Sequence, residues 1–140
     1  MTETVAPVSL LADTESWDRL RSNAFARLAL SVGDQPEIFP INYAVQGDTL
    51  LFRTSQGTKL AALTINASVA LEIDGYDGVG GWSVVVKGQA HEAEWGDDYN
   101  EAGVSGLRPW VATRKPVFVR ITPAQVTGRT FVFGPEPDDL

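Results

Sequence analysis

The chain has no cysteine and a single histidine in 140 residues, and each scarcity removes a class of chemistry. Without cysteine there is no disulfide scaffold, no thiolate nucleophile and no Cys-ligated zinc or iron–sulfur cluster. One histidine, His91, cannot build a multi-histidine metal site within one chain. No Gly-x-Ser-x-Gly motif is present either, so a Ser/His/Asp hydrolase is not expected. Positive charge is also scarce. Eleven Lys and Arg stand against eighteen Asp and Glu, a formal net charge of −7, which argues against binding to nucleic-acid backbone or an anionic membrane surface. No apolar run approaches the ~20 residues of a transmembrane helix. The N-terminal stretch Met1 to Pro7 lacks the basic and apolar regions of a secretion signal, so a cytoplasmic location is the expectation. The length suits one domain, residues 1–140, with flexible ends at 1–12 and 134–140.

Against this acidic background one window stands out. From Leu50 to Leu71 the chain contains Arg53 and Lys59 and no Asp or Glu. A β-type run, Leu50-Leu51-Phe52-Arg53-Thr54, breaks into Ser55-Gln56-Gly57-Thr58-Lys59 and then turns helical. At a helix start the first backbone N–H groups lack intrahelical partners and the macrodipole is positive, so a phosphate finds donors already aimed at it. Thr54, Ser55 and Thr58 add hydroxyls, Gly57 permits close approach, and Arg53 and Lys59 add charge-assisted donors. The plainer reading is an N-cap followed by a solvated helix. The spacing does not match a P-loop.

The remaining chain reads as mainly β. Asp13 is the expected N-cap of a short helix reaching about Asn23, with Trp17 and Leu20 on one face. Ala26, Leu28, Leu30 and Val32 share a face at period two, which marks a strand. Gly33 to Pro36 reads as a hairpin turn, Ile38 to Val45 as a second strand with Pro40 at an edge, bulge or ligand contact, and Leu50 to Ser55 as a third. A helix from Gln56 to about Asn66 leads to a strand over Val69 to Asp74. The loop Gly75 to Gly81 follows, and Asp74 and Asp77 lack calcium-loop spacing, so no metal site is expected. A long strand runs from Trp82 to about Trp95, then a short helix from Asp97 to Ala102, an irregular stretch through Arg108-Pro109-Trp110, and strands over Val117 to Ile121 and Val126 to Phe133. His91 shares a face with Lys87 and Gln89, a solvated surface position. Glu92, Glu94, Asp97 and Asp98 read as a solvated face. Six or seven short antiparallel strands with few helices point to a closed or nearly closed barrel.

In this order of motifs, with Phe39-Pro40-Ile41-Asn42-Tyr43 ending one strand segment, Phe52-Arg53-Thr54 another, and Gly81-Trp82-Ser83-Val84-Val85-Val86-Lys87-Gly88 opening a third, the chain resembles the pyridoxamine 5′-phosphate oxidase-like family of FMN-binding split barrels. The similarity spans roughly Leu20 to Phe133. It implies an antiparallel split β-barrel and FMN held at a homodimer interface, with a deazaflavin as the alternative cofactor. The phosphate would be gripped by Arg53, Thr54, Thr58 and Lys59. The isoalloxazine ring would lie against Phe39, Pro40, Ile41 and Asn42, with Trp82 and Ser83 near its other edge. Late-chain residues Trp110 and Arg129 would supply a lid over the ring and a contact to an anionic group, although the Arg129 stem could equally cover apolar surface. Asn42, in what reads as an inward-facing apolar stretch, needs a partner, which a ligand or a turn would provide.

Departures from the family pattern narrow the activity. Phe39 stands where pyridoxamine phosphate oxidases proper carry an arginine on the flavin phosphate. The chain also lacks their terminal Arg-x-His pattern, so it is not expected to be a true pyridoxamine phosphate oxidase. No histidine matches that of the nitroimidazole-reductase relatives. The resemblance implies a flavin-dependent oxidoreductase acting on a small molecule, with the flavin performing the chemistry. The alternative is a noncatalytic module that binds or sequesters flavin or deazaflavin.

Overall fold

The computed structural model describes residues 6–54, 67–93, 107 and 117–138. The expected helices at 56–66 and 97–102, and with them Ser55, Thr58, Lys59, Trp95 and Trp110, lie outside the described residues. Within them run β1 (Val8–Leu10), α1 (Asp13–Arg21), β2 (Phe25–Val32), β3 (Gln35–Gln46), β4 (Thr49–Thr54), β5 (Ser68–Tyr76), β6 (Gly80–Glu92) and β7 (Val117–Val132). Every pairing is antiparallel. The order is β1-β7-β4-β3-β2-β5-β6, and β6 pairs with β7 as well, so the sheet closes on itself as a split barrel. Closure removes the exposed edges that an open sheet of this size would present.

The barrel interior follows from strict alternation. Leu28, Leu50, Phe52, Leu71, Val84 and Val119 are fully buried and form one cluster with Ala26, Ile73, Val86 and Ile121. The face read from Ala26, Leu28 and Leu30, and that from Val69, Leu71 and Ile73, both point inward. Tyr43 also points inward, its hydroxyl donating to the Leu20 carbonyl at 2.8 Å, and burial pushes its pKa upward. A smaller cluster sits outside the barrel wall, where Leu51, Ala93 and Leu107 pack with Ala44 and Phe118.

Helix α1 closes one end of the barrel with Leu20 fully buried and Trp17 packed against the core. Its N-cap is Ala12, without a side-chain hydrogen bond. Asp13, expected there, is the first helical residue, where with Glu15 it complements the macrodipole, as Arg19 and Arg21 do in the last turn. Two connections are tighter than expected. Gly33 and Gly47 adopt positive φ of 60° and 63°, which lets two-residue loops join Val32 to Gln35 and Gln46 to Thr49. Gln35 and Pro36 therefore belong to β3 and not to the turn. Val8–Leu10, in the stretch read as a flexible end, pairs with Arg129 to Phe131 as β1.

The two closing strands expected at 117–121 and 126–133 are one strand, β7. A register shift opposite Lys87/Gly88 places Gly88 beside Pro123, so the proline's missing N–H is absorbed in an irregularity rather than ending the strand. A Cβ on Gly88 would meet the Thr122 carbonyl oxygen at 2.2 Å, so glycine permits this close approach. Among the described residues no helix is long and apolar enough to cross a membrane.

Candidate functional site

Register decides which of the sequence-selected residues meet. In β3, Ile41 and Tyr43 are buried while Pro40 is exposed and Asn42 half-buried. Pro40 and Asn42 thus face outward and Ile41 inward, and Phe39 packs partly against the core. The expectation that Asn42 faces inward is corrected here: period two puts it opposite Ile41. One partner is the backbone between α1 and β2, the Asn42 amide donating to the Ala24 carbonyl at 3.4 Å. In β4, Arg53 faces outward and Thr54 is buried. The Arg53 guanidinium lies over the Phe118 ring at 5.1 Å, directly across the β4–β7 ladder. The Leu51 cluster forms an apolar shoulder along the same wall.

These positions belong to one circumferential row. Phe25 pairs with Asn42, Asp74 with Ser83, and Ser83 with Arg129. One antiparallel step beyond Tyr43↔Phe52 sets Arg53 beside Asn42, and two steps beyond Arg27↔Glu72 set Asp74 beside Phe25. The outer wall therefore carries, strand by strand, Arg53, Asn42, Phe25, Asp74, Ser83 and Arg129. A parallel row runs Pro40, Arg27, Glu72, Val85 and Thr127. With strands about 4.8 Å apart, four steps from Arg53 to Ser83 span about 19 Å along the curved wall.

At the centre of this belt Arg27 holds two carboxylates. Its Nη1 donates to Glu72 Oε1 at 2.7 Å and to Asp74 Oδ2 at 3.0 Å. Burial, then the hydrogen bond to Asp74, push the Glu72 carboxyl above its ordinary pKa against the pull of Arg27. Phe25 stands beside this group, 37% exposed. Sequence reasoning missed Phe25, Arg27 and Glu72. The alternation of β2 marks 25 and 27 as outward, but their partners on β5 are long-range and leave no local signal.

Trp82 and Ser83 part company. Ser83 lies on the belt between Asp74 and Arg129. Trp82 turns to the other face, packs against the core, and has the Arg19 guanidinium 4.7 Å from its ring centroid. Gly75 leaves room for it, since a Cβ there would come within 2.8 Å of the indole nitrogen. The backbone of Trp82 remains beside the belt. Ile41 and Thr54 likewise reach it only through their backbone.

A closed antiparallel ring, with a cation, an amide, an aromatic side chain and a hydroxyl aligned on its outer wall, defines a split barrel. The family profile described as pyridoxamine 5′-phosphate oxidase matches residues 12–130, and the chain belongs to that family. An uncharacterized protein of Mycobacterium tuberculosis is 46% identical over 94 residues, which are 67% of this chain and 86% of that protein. Among solved structures, the FAD binding protein from Mycobacterium smegmatis is 40% identical with a TM-score of 0.74, covering 89% of this chain and 99% of the other. A FAD-binding protein from Mesorhizobium loti is 28% identical with a TM-score of 0.75, covering 88% and 97% respectively.

Proposed function

We propose that this protein binds FMN along the outer belt and acts as a flavin-dependent oxidoreductase on a small molecule. The observation that carries the reading is the single row Arg53, Asn42, Phe25, Asp74 and Ser83. It puts a cation for the phosphate at one end and a ring-sized apolar and polar stretch beside it. The FAD-binding names of the two similar structures support a flavin ligand. Arg53 would grip the phosphate together with Thr54, Thr58 and Lys59, the last two following on in sequence. Pro40 and Phe25 would cover the ring, while Asn42, Ser83 and backbone groups of Phe39, Ile41 and Trp82 would orient its polar edge. When bound, the flavin supplies hydride acceptance and donation. A second copy of this chain would complete the pocket, with Trp110 as lid and Arg129 beside Ser83 as the contact to an anionic group.

Titration calorimetry tests this reading. FMN is expected to bind much more tightly than riboflavin, because the phosphate's charge-assisted hydrogen bonds are worth about 1.5–3 kcal/mol each. Arg53→Ala is expected to weaken FMN by about tenfold or more, equivalent to about 1.4 kcal/mol. Equal affinity for FMN and riboflavin, or an Arg53→Ala protein with unchanged affinity, would remove the phosphate from this end of the belt.

A further inference from the structure

Beyond Ser83 the belt runs into a cleft of about 530 Å³ at the β5–β6 hairpin end, within the size range of small-molecule sites. We infer that this cleft is a second binding site, for a flat heteroaromatic ring bearing amino or ring N–H donors.

Its shape follows from register. Tyr76 pairs with Gly81, and Gly81 with Phe131, so two aromatic side chains on alternate strands flank a position that has none. Strand spacing puts them about 10 Å apart. A ring stacked between two others needs about 3.5–4.0 Å on each side, so the slot takes one flat ring. Tyr76 is 85% exposed and Phe133, at the rim, 54% exposed. Such exposure of aromatic surface around a concave site is the mark of a ligand groove. Trp82 lines the same cleft, but Arg19 lies over its ring, which leaves stacking to Tyr76 and Phe131.

The inner end chooses the ring's chemistry. Glu72 and Asp74 both line the cleft and share one guanidinium nitrogen of Arg27, so two carboxylates face one cation and keep lone pairs for N–H donors. Ser83 adds a hydroxyl. The other charges at this end among the described residues are Arg129, exposed beside Ser83, Arg19, already engaged over the Trp82 ring, and Asp77, whose Oδ1 already accepts from the Val79 and Gly80 amides. An aromatic carboxylate would meet Asp74 and Glu72 with like charge, whereas an aminoheteroaromatic ring would donate to them.

The ligand is a free aminoheteroaromatic molecule: the adenosine of a flavin dinucleotide hangs from the diphosphate, which the flavin reading holds at Arg53, four strands away from Ser83. Adenosine is titrated into the protein with and without saturating FMN, with benzoate as the anionic control, in wild type, Tyr76→Ala, Tyr76→Phe and Asp74→Asn. Adenosine is expected to bind and benzoate not; Tyr76→Ala weakens adenosine about tenfold, in line with the loss of one stacking partner. Tyr76→Phe retains binding and Asp74→Asn reduces it. If adenosine does not bind, or its binding responds to neither Tyr76→Ala nor Asp74→Asn, the inference is overturned. A protein that binds no flavin still reports on the cleft through adenosine, so failure of the belt and failure of the cleft are distinguishable.

Discussion

At the scale of single residues, Glu72 is the most informative titrating group. Its raised pKa means that the folded chain keeps a proton the unfolded chain has already released. Stability therefore falls as pH rises from the ordinary carboxylate range through the raised value, the opposite of a salt-bridged acid with a lowered pKa. Glu72→Gln is expected to flatten that slope, read by denaturant unfolding at a series of pH values from about 4 to about 8, which bracket an ordinary carboxylate. An unchanged slope in the variant would mean that Arg27 cancels burial and Asp74. Asp77 leans the other way, its pKa lowered by the hydrogen bonds it accepts from the Val79 and Gly80 amides. Asp77 fastens the turn, while Asp74 remains with Arg27 and the cleft.

At the scale of elements, helix α1 is seated on β7 with no room to spare. Ser16 is buried, and its hydroxyl has no hydrogen-bond partner among the described residues. A Cβ on Gly128 would come within 2.3 Å of that hydroxyl oxygen and 2.9 Å of Leu11 Cδ1. Ser16→Ala is expected to leave stability unchanged or raise it, since a buried unsatisfied hydroxyl costs about 1–3 kcal/mol. Gly128→Ala is expected to cost about 1–3 kcal/mol through overpacking. Thermal unfolding of both variants is the check, and a clear loss in Ser16→Ala would reveal a partner for the hydroxyl. The sequence was most legible where one face is buried. Leu20 with Trp17, Ala26 to Leu30 and Val69 to Ile73 each repeat apolar residues at the period of their element. It was least legible where a strand is exposed on both faces, as in Val8–Leu10 and the first residues of β3, because backbone pairing leaves no hydropathy trace. Pro123 hid the continuity of β7. Asn42, Arg53, Ser83 and Arg129 could each be singled out from sequence, but that they share a row depends on β2 pairing with β5, a contact between distant segments.

At the scale of the whole molecule, apolar surface is left over. Val8, Leu10, Ile38, Tyr76, Val79, Val132 and Phe133 are each 46% or more exposed. On the proposed reading a second copy covers part of it. Light scattering across a dilution series is expected to return a dimer mass, and a monomer that binds FMN with full affinity would show that one chain suffices for the pocket.

Strand β7 pairs with β4 through Val117 to Ile121, with β1 through Arg129 to Phe131, and with β6 along nearly its whole length. It is also the last of the described strands in chain order. During synthesis, then, β2 to β6 emerge as an open sheet whose outer strands, β4 and β6, both wait for a segment not yet made. The barrel cannot close from its N-terminal side. The nascent protein carries two unpaired edges until β7 has left the ribosome, the interval in which a chaperone has most to offer it.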